Sequence, residues 1–162
     1  LRSSSAASDV YKRQVQEEVG LRGAQMIVET IKPNVAIVTD VCHDTTTPMM
    51  NKIKQGDQKC GRGPVVFYGP AVQNNLLNKV INVAEENKIK FQRGAVSRAT
   101  GTDTDAFAFA TGGVASALIS LPLKYMHTTV ETVSKNDVES VIKLIYFLLQ
   151  KIKNKEDFRY LS

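Results

Sequence analysis

Two adjacent glutamates, Glu17 and Glu18, stand just before Gly20 and an apolar-periodic run that begins at Leu21. This pattern is typical of a turn from strand to helix, and open α/β folds expose catalytic side chains at such turns. In a metallohydrolase, one neighbouring carboxylate can hold a divalent cation while the other takes a proton from the attacking water. The alternative is a solvated pair of acids at a helix N-terminus, favoured by the helix dipole.

Two further candidate ligands follow predicted strands. Asp40 closes the β-branched run 35–41, and His127 comes shortly after the apolar run 114–121. Carboxylate oxygens and an imidazole nitrogen suit zinc, cobalt or manganese in a catalytic site that keeps a water position open. Taken singly, Asp40 is better explained as a helix cap or turn acid than as a ligand, and His127 as a hydrogen-bonded surface histidine. His43 can either ligate a metal or orient a neighbour.

Hydrophobic periodicity predicts the elements that position these residues. Strands are predicted at 35–41, 65–68, 89–92 and 114–121, with 15–16 as the end of another strand and a loop at 43–63. Helices are predicted at 21–31, at 70–87, after the turn at 101–106, and near the C-terminus. The last helix is capped by Ser134 or Asn136, and its predicted inner side carries Val138, Val141, Ile142, Ile145, Leu148, Leu149 and Ile152. This alternation predicts an α/β fold, a mainly parallel sheet with helices on both faces.

Composition narrows the function classes. The chain has 162 residues, 43% hydrophobic and 23% charged, which suits one globular domain. No apolar run approaches the roughly 20 residues of a membrane span, and no secretory signal is visible. Cys42 and Cys60 form no CxxC pair, so we expect a reducing, cytoplasmic setting. The net charge is +5, but without a basic run or recognition motif we expect no nucleic-acid and no membrane partner.

The first 14 residues differ in character from the rest. The stretch SSAASDVYKRQ at 4–14 looks like the in-frame translation of a sequencing-library adapter. It is rich in Ser and Ala and has no periodic apolar face. We therefore predict that residues 1–14 are non-native and disordered, and we exclude them from the fold.

Four blocks together resemble a known family. They are QEEVGLRGA at 16–24, DVCHD at 40–44, GTDTDA at 101–106 and PLKYMHTTVE at 122–131. In this order and spacing they are similar to the metallo-aminopeptidases that include glutamyl aminopeptidase and the tetrahedral TET particles, many of which carry endoglucanase labels. The resemblance implies a three-layer, zinc-peptidase-like fold, with residues 15–162 as the C-terminal part of a catalytic domain truncated on its N-terminal side.

The resemblance also implies roles for single residues. Glu17 would be the general base, Glu18 and His127 would ligate one metal, and Asp40 would ligate the other. His43 matches a position that is not a ligand in the family. Two divalent ions per full-length subunit, zinc or cobalt, are implied, together with peptide substrates and a homo-oligomeric full-length form.

Departures from the family pattern leave alternatives open. The remaining family ligands, a histidine and a bridging aspartate, lie upstream of the glutamate pair and do not occur in this sequence. We therefore expect the chain alone to be inactive, and an assembly-only, non-catalytic chain is one alternative. A glycoside hydrolase is another, although Glu17 and Glu18 are adjacent rather than on two sides of a sugar, and the chain has no Trp for stacking.

Overall fold

The computed structural model describes residues 15–110, 112–153 and 156–158, so the prediction for residues 1–14 lies outside the described residues. The helices are α1 (Arg22–Ile31), α2 (Lys52–Gln55), α3 (Asn74–Glu86), α4 (Asp103–Ala108) and α5 (Lys135–Lys151). The strands are β1 (Val35–His43), β2 (Val65–Tyr68), β3 (Gln92–Ala95), β4 (Ala115–Lys124) and β5 (Thr132–Val133). None of the described helices is long and apolar enough to cross a membrane.

The sheet has the strand order β1-β4-β2-β3, and the short β5 pairs with β4. β1 runs parallel to β4 along its whole length, and β2 runs parallel to β3. The antiparallel contacts are short, since β2 meets β4 only at Val65 and Val66. The predicted α/β fold with a mainly parallel sheet is therefore confirmed.

The helices pack on this sheet in two groups. α3 and α5 contact each other and the central strands, and they bury Leu76, Val80, Leu144 and Leu148 almost completely. α1 and α4 contact each other at a second, smaller cluster that contains Val28 and joins them to β1. The α1 and α4 group matters for function, because both helices begin beside the candidate site.

Two strand predictions are wrong. Residues 15–20 form bends and a turn instead of the end of a strand, and no described strand pairs with this segment. A strand was predicted at 89–92, but β3 begins only at Gln92. Ile89 is not part of the strand, because its N–H donates to the Ala84 carbonyl at 2.8 Å and helps to end α3. The Gln92 side chain is then bound to Lys59 and Gly63 in the preceding loop.

The inner face of α5 is also partly mispredicted. Ile142 and Leu149 are exposed, whereas Leu144 is fully buried. Both faces of the helix carry apolar residues, so periodicity alone did not identify the face that meets α3 and β4. α2 and β5 were not predicted, because four and two residues are too few to produce a periodic pattern.

Candidate metal-binding and catalytic site

The glutamate pair lies in a tight turn that leads into α1. The carbonyl of Glu17 accepts hydrogen bonds from the N–H groups of Gly20 and Leu21, at 3.1 and 3.0 Å. Gly23 comes so close to the start of the turn that an added Cβ would lie 2.5 Å from the Val15 carbonyl oxygen. Backbone bonds therefore hold the turn, and the two carboxylates are left available at the start of the helix.

Asp40 lies near the carboxyl end of β1, beside Ser120 of β4. Its side chain is half-buried, and Oδ1 accepts a hydrogen bond from the N–H of Val41 at 2.7 Å. Burial raises the pKa of Asp40, the Val41 N–H opposes that rise, and the charge of Glu18 adds to it. This carboxylate thus occupies the strand end that the sequence predicted for it.

His127 lies in the turn that follows β4. Its Nε2 atom is 3.5 Å from Oε1 of Glu18, although the two residues are far apart in the sequence. Both side chains are exposed, so neither is held by packing. The structure therefore brings together the two residues that the resemblance assigned to a single metal.

The charges of the neighbouring site residues act on the carboxyl group of Glu17. Its pKa is raised first by burial, then by the negative charges of Asp40, Glu18 and Asp103, while His127 lowers it. The predicted site residues, which come from three separate parts of the chain, thus act on one carboxyl group. A carboxyl group with a raised pKa at such a place suits proton transfer.

Asp103 is a member of this group to which the sequence had assigned no role. It begins α4 and is 7% exposed, and its Oδ1 atom is buried without a hydrogen-bond partner among the described residues. Burial, followed by the charge of Asp40, raises its pKa. The available signal was its position in the turn at 101–106 that was predicted to open a helix, inside the GTDTDA block that carried the resemblance.

The donor chemistry of the site fits a divalent cation in part. Around a tetrahedral ion whose bonds to its ligand atoms are near 2.0–2.1 Å, two ligand atoms lie about 3.3 Å from each other. The distance from His127 Nε2 to Glu18 Oε1 is 3.5 Å, which is close to this value. Within the described residues, no three His, Cys, Asp or Glu side chains are gathered around one point. This part of the chain thus offers two ligand atoms at suitable spacing, with the carboxylate of Asp40 as a separate donor.

Comparison with known proteins gives this geometry a family context. The model of the M42 glutamyl aminopeptidase family matches residues 5–144. The lysyl aminopeptidase of Pyrococcus furiosus is 37% identical over 147 residues, which cover 90% of this chain and 42% of the relative.

Solved structures agree with the sequence comparisons. A TET aminopeptidase from a marine sediment archaeon of the Thaumarchaeota superposes with a TM-score of 0.79 at 32% identity. The superposition covers 86% of this chain and 39% of the aminopeptidase chain. The TET1 peptidase of Pyrococcus horikoshii, which assembles into a tetrahedron or a large octahedral shell, gives a TM-score of 0.68 at 32% identity and coverages of 86% and 40%. The chain spans about two fifths of the length of these relatives. A family model that matches most of the chain, with the glutamate pair, Asp40 and His127 inside the match, shows that this chain belongs to the M42 glutamyl aminopeptidase family.

Proposed function

We propose that this chain forms the C-terminal part of the catalytic domain of a metal-dependent aminopeptidase, which removes N-terminal residues from peptides. The observation that carries the proposal is the 3.5 Å approach of His127 Nε2 to Glu18 Oε1, next to Glu17, in a member of this family. Because the chain spans about two fifths of its relatives, the complete enzyme is proposed to have the relatives' length.

Within that enzyme, Glu18 and His127 hold one divalent ion and Asp40 holds a second, with zinc or cobalt as the proposed metals. The 3.5 Å between Glu18 and His127 supports their shared ion, and the oxygen and nitrogen donors of all three residues suit these metals. Bound ions of this kind polarise the scissile carbonyl and stabilise negative charge that develops on its oxygen. The chain's own carboxylates repel one another, and a bound cation offsets that repulsion.

Glu17 acts as the general base. Its raised pKa brings it nearer to the working pH, where a carboxylate can accept a proton from the attacking water and then donate it to the leaving amine. Its neighbour Glu18 faces His127, so the two adjacent carboxylates divide metal binding and proton transfer between them.

The proposed setting is the cytoplasm, with peptides as substrates and a homo-oligomer as the working form. The free thiols of Cys42 and Cys60 support a reducing compartment. The tetrahedral and octahedral assemblies of the P. horikoshii relative support the proposed oligomer.

The test is Glu17→Gln in a protein of the relatives' length that contains this chain. We expect release of the N-terminal residue from an aminoacyl-anilide to fall by about two to four orders of magnitude, with metal content nearly unchanged. Glu18→Gln should instead lower metal occupancy, measured by elemental analysis. Glu29→Gln, an exposed position on α1, is the matched control and should change neither quantity.

Three results would count against this proposal. Loss of metal in Glu17→Gln with retention in Glu18→Gln would mean that the roles of the glutamates are exchanged. Full turnover in both variants would remove the glutamate pair from the mechanism, whereas a wild type of the relatives' length with neither turnover nor bound metal would favour the assembly-only alternative.

A further inference from the structure

The turn that carries His127 has an uncommon backbone. Tyr125 and His127 both have positive φ, 57° and 62°, a conformation that is unfavourable for a residue with a side chain. The carbonyl of Tyr125 accepts hydrogen bonds from the N–H of Thr128 at 3.1 Å and from its hydroxyl at 2.6 Å. These bonds close the first part of the turn but do not engage the backbone of His127.

Glu131 supplies the bond to His127 itself. Its Oε1 atom accepts a hydrogen bond from the backbone N–H of His127 at 2.6 Å. A bond from an N–H to a charged carboxylate is stronger than one between neutral groups. The next strand, β5, begins at Thr132, so Glu131 also fixes the turn to the start of that strand.

Packing does not orient the imidazole, because the His127 side chain is 68% exposed. The φ and ψ angles of His127 set the direction in which its Cα–Cβ bond leaves the backbone, and therefore the region that the imidazole can reach. In the structure that direction places Nε2 within 3.5 Å of Glu18 Oε1.

We propose that Glu131 is a positioning residue for His127. Its carboxylate holds the His127 backbone in the left-handed conformation from which the imidazole reaches Glu18. Glu131 acts through a backbone N–H and touches neither substrate nor metal. The inference rests on the proposed function, because there His127 serves as a metal ligand.

The experiment uses the 162-residue chain and Co²⁺ as the probe. Glu131→Ala removes the acceptor, and we expect the Kd for Co²⁺ to weaken about tenfold, as is usual when the partner of a metal ligand is lost. Glu131→Gln keeps an Oε1 acceptor but removes the charge, so its bond is weaker and its Kd should lie between those of the wild type and Glu131→Ala. Glu139→Ala removes a carboxylate from the exposed side of α5 and should leave the Kd unchanged.

A second readout needs no metal. The ¹H shift of the His127 amide reports its hydrogen bond, so we expect it to move upfield in Glu131→Ala and to move less in Glu131→Gln. This comparison separates the inference from the proposed function. If the wild-type chain binds no Co²⁺, the ligand assignment fails while the amide shifts still decide whether Glu131 holds the turn.

Either of two outcomes would overturn the inference. Glu131→Gln could weaken Co²⁺ binding as strongly as Glu131→Ala, which would make the charge of Glu131 the cause and not its acceptor atom. Alternatively, Glu131→Ala could leave both the Kd and the His127 amide shift unchanged, which would mean that the turn forms without this bond.

Discussion

At the scale of single residues, the site concentrates negative charge. Glu17, Asp40 and Asp103 all have raised pKa values. Burial is the largest cause for each of them, and a neighbouring carboxylate also raises each pKa. At Asp40, the hydrogen bond from the Val41 N–H opposes the rise. A carboxyl group whose pKa is higher in the folded state stabilises the fold at low pH and loses that contribution as the pH rises through the folded pKa. Without a cation, the ionised site therefore destabilises the fold at neutral pH.

Asp103→Asn tests whether the ionised carboxylates destabilise the fold of the metal-free chain. The substitution removes a buried charge beside Asp40, so the thermal unfolding temperature at pH 7 should rise. The gain should shrink as the pH falls through the raised pKa of Asp103, because the wild-type carboxyl then becomes protonated as well. Unfolding measured by circular dichroism from pH 4 to pH 7.5 gives the comparison, and a constant or negative difference across that range would contradict it.

Asp44 should behave in the opposite way. Burial opposes its ionisation, but hydrogen bonds from the Thr46 hydroxyl and from the N–H groups of Cys60 and Thr46 outweigh burial and lower its pKa to about 2. Its contribution to stability is present above about pH 4 and is lost as the pH falls toward 2. Asp44→Asn should therefore cost about 1–3 kcal/mol of the free energy of unfolding at pH 7 and much less near pH 2, measured by urea denaturation.

At the scale of elements, one buried carboxylate organises the loop that leads into β2. Asp137 on α5 is 1% exposed, and it accepts hydrogen bonds from the N–H groups of Gly61 and Gly63 at 2.7 and 2.8 Å. Both glycines have positive φ, but their surroundings differ. An added Cβ at Gly63 would lie 2.0 Å from the Lys90 carbonyl oxygen, whereas one at Gly61 would meet nothing within 4 Å.

The two glycines therefore make a matched pair of variants. Gly61→Ala should cost about 1 kcal/mol, the conformational penalty of positive φ. Gly63→Ala adds a clash with backbone that cannot move without shifting the loop before β3, so we expect a clearly larger loss or no stable fold. Equal losses in urea unfolding would show that the approach of the two backbone segments is not a constraint.

At the scale of the whole molecule, β1 is an edge strand of the described sheet. It is long and begins with the apolar run 35–38, and its outer edge is not paired with another described strand. Such edges invite pairing with a second chain unless a charge interrupts them. We therefore expect the chain to self-associate as its concentration rises.

Thr39→Lys should reduce this association, because it adds a charge at an exposed position of β1 without changing the core. Sedimentation velocity over a concentration series measures the effect. Asn82→Lys, at an exposed position on α3, is the control and should leave the association unchanged. Equal association of wild type and Thr39→Lys would show that contacts form elsewhere on the surface.

The sequence by itself determined the features that depend on local pattern. The run at 35–41 is β-branched, α1 shows helical spacing, and the four motif blocks carry their family resemblance in their residues alone. These signals depend on neighbouring residues, so the fold class and β1, β2, α1 and α3 followed from the sequence with small changes at their ends.

The tertiary structure decided what depends on residues far apart in the chain. It set which face of α5 is buried and where β3 begins, since both are fixed by partners on other elements. It brought His127 to Glu18, and it buried Asp103 beside Asp40, with one oxygen that has no hydrogen-bond partner among the described residues. Burial and the distance between side chains are properties of the packed chain, and no local pattern contains them.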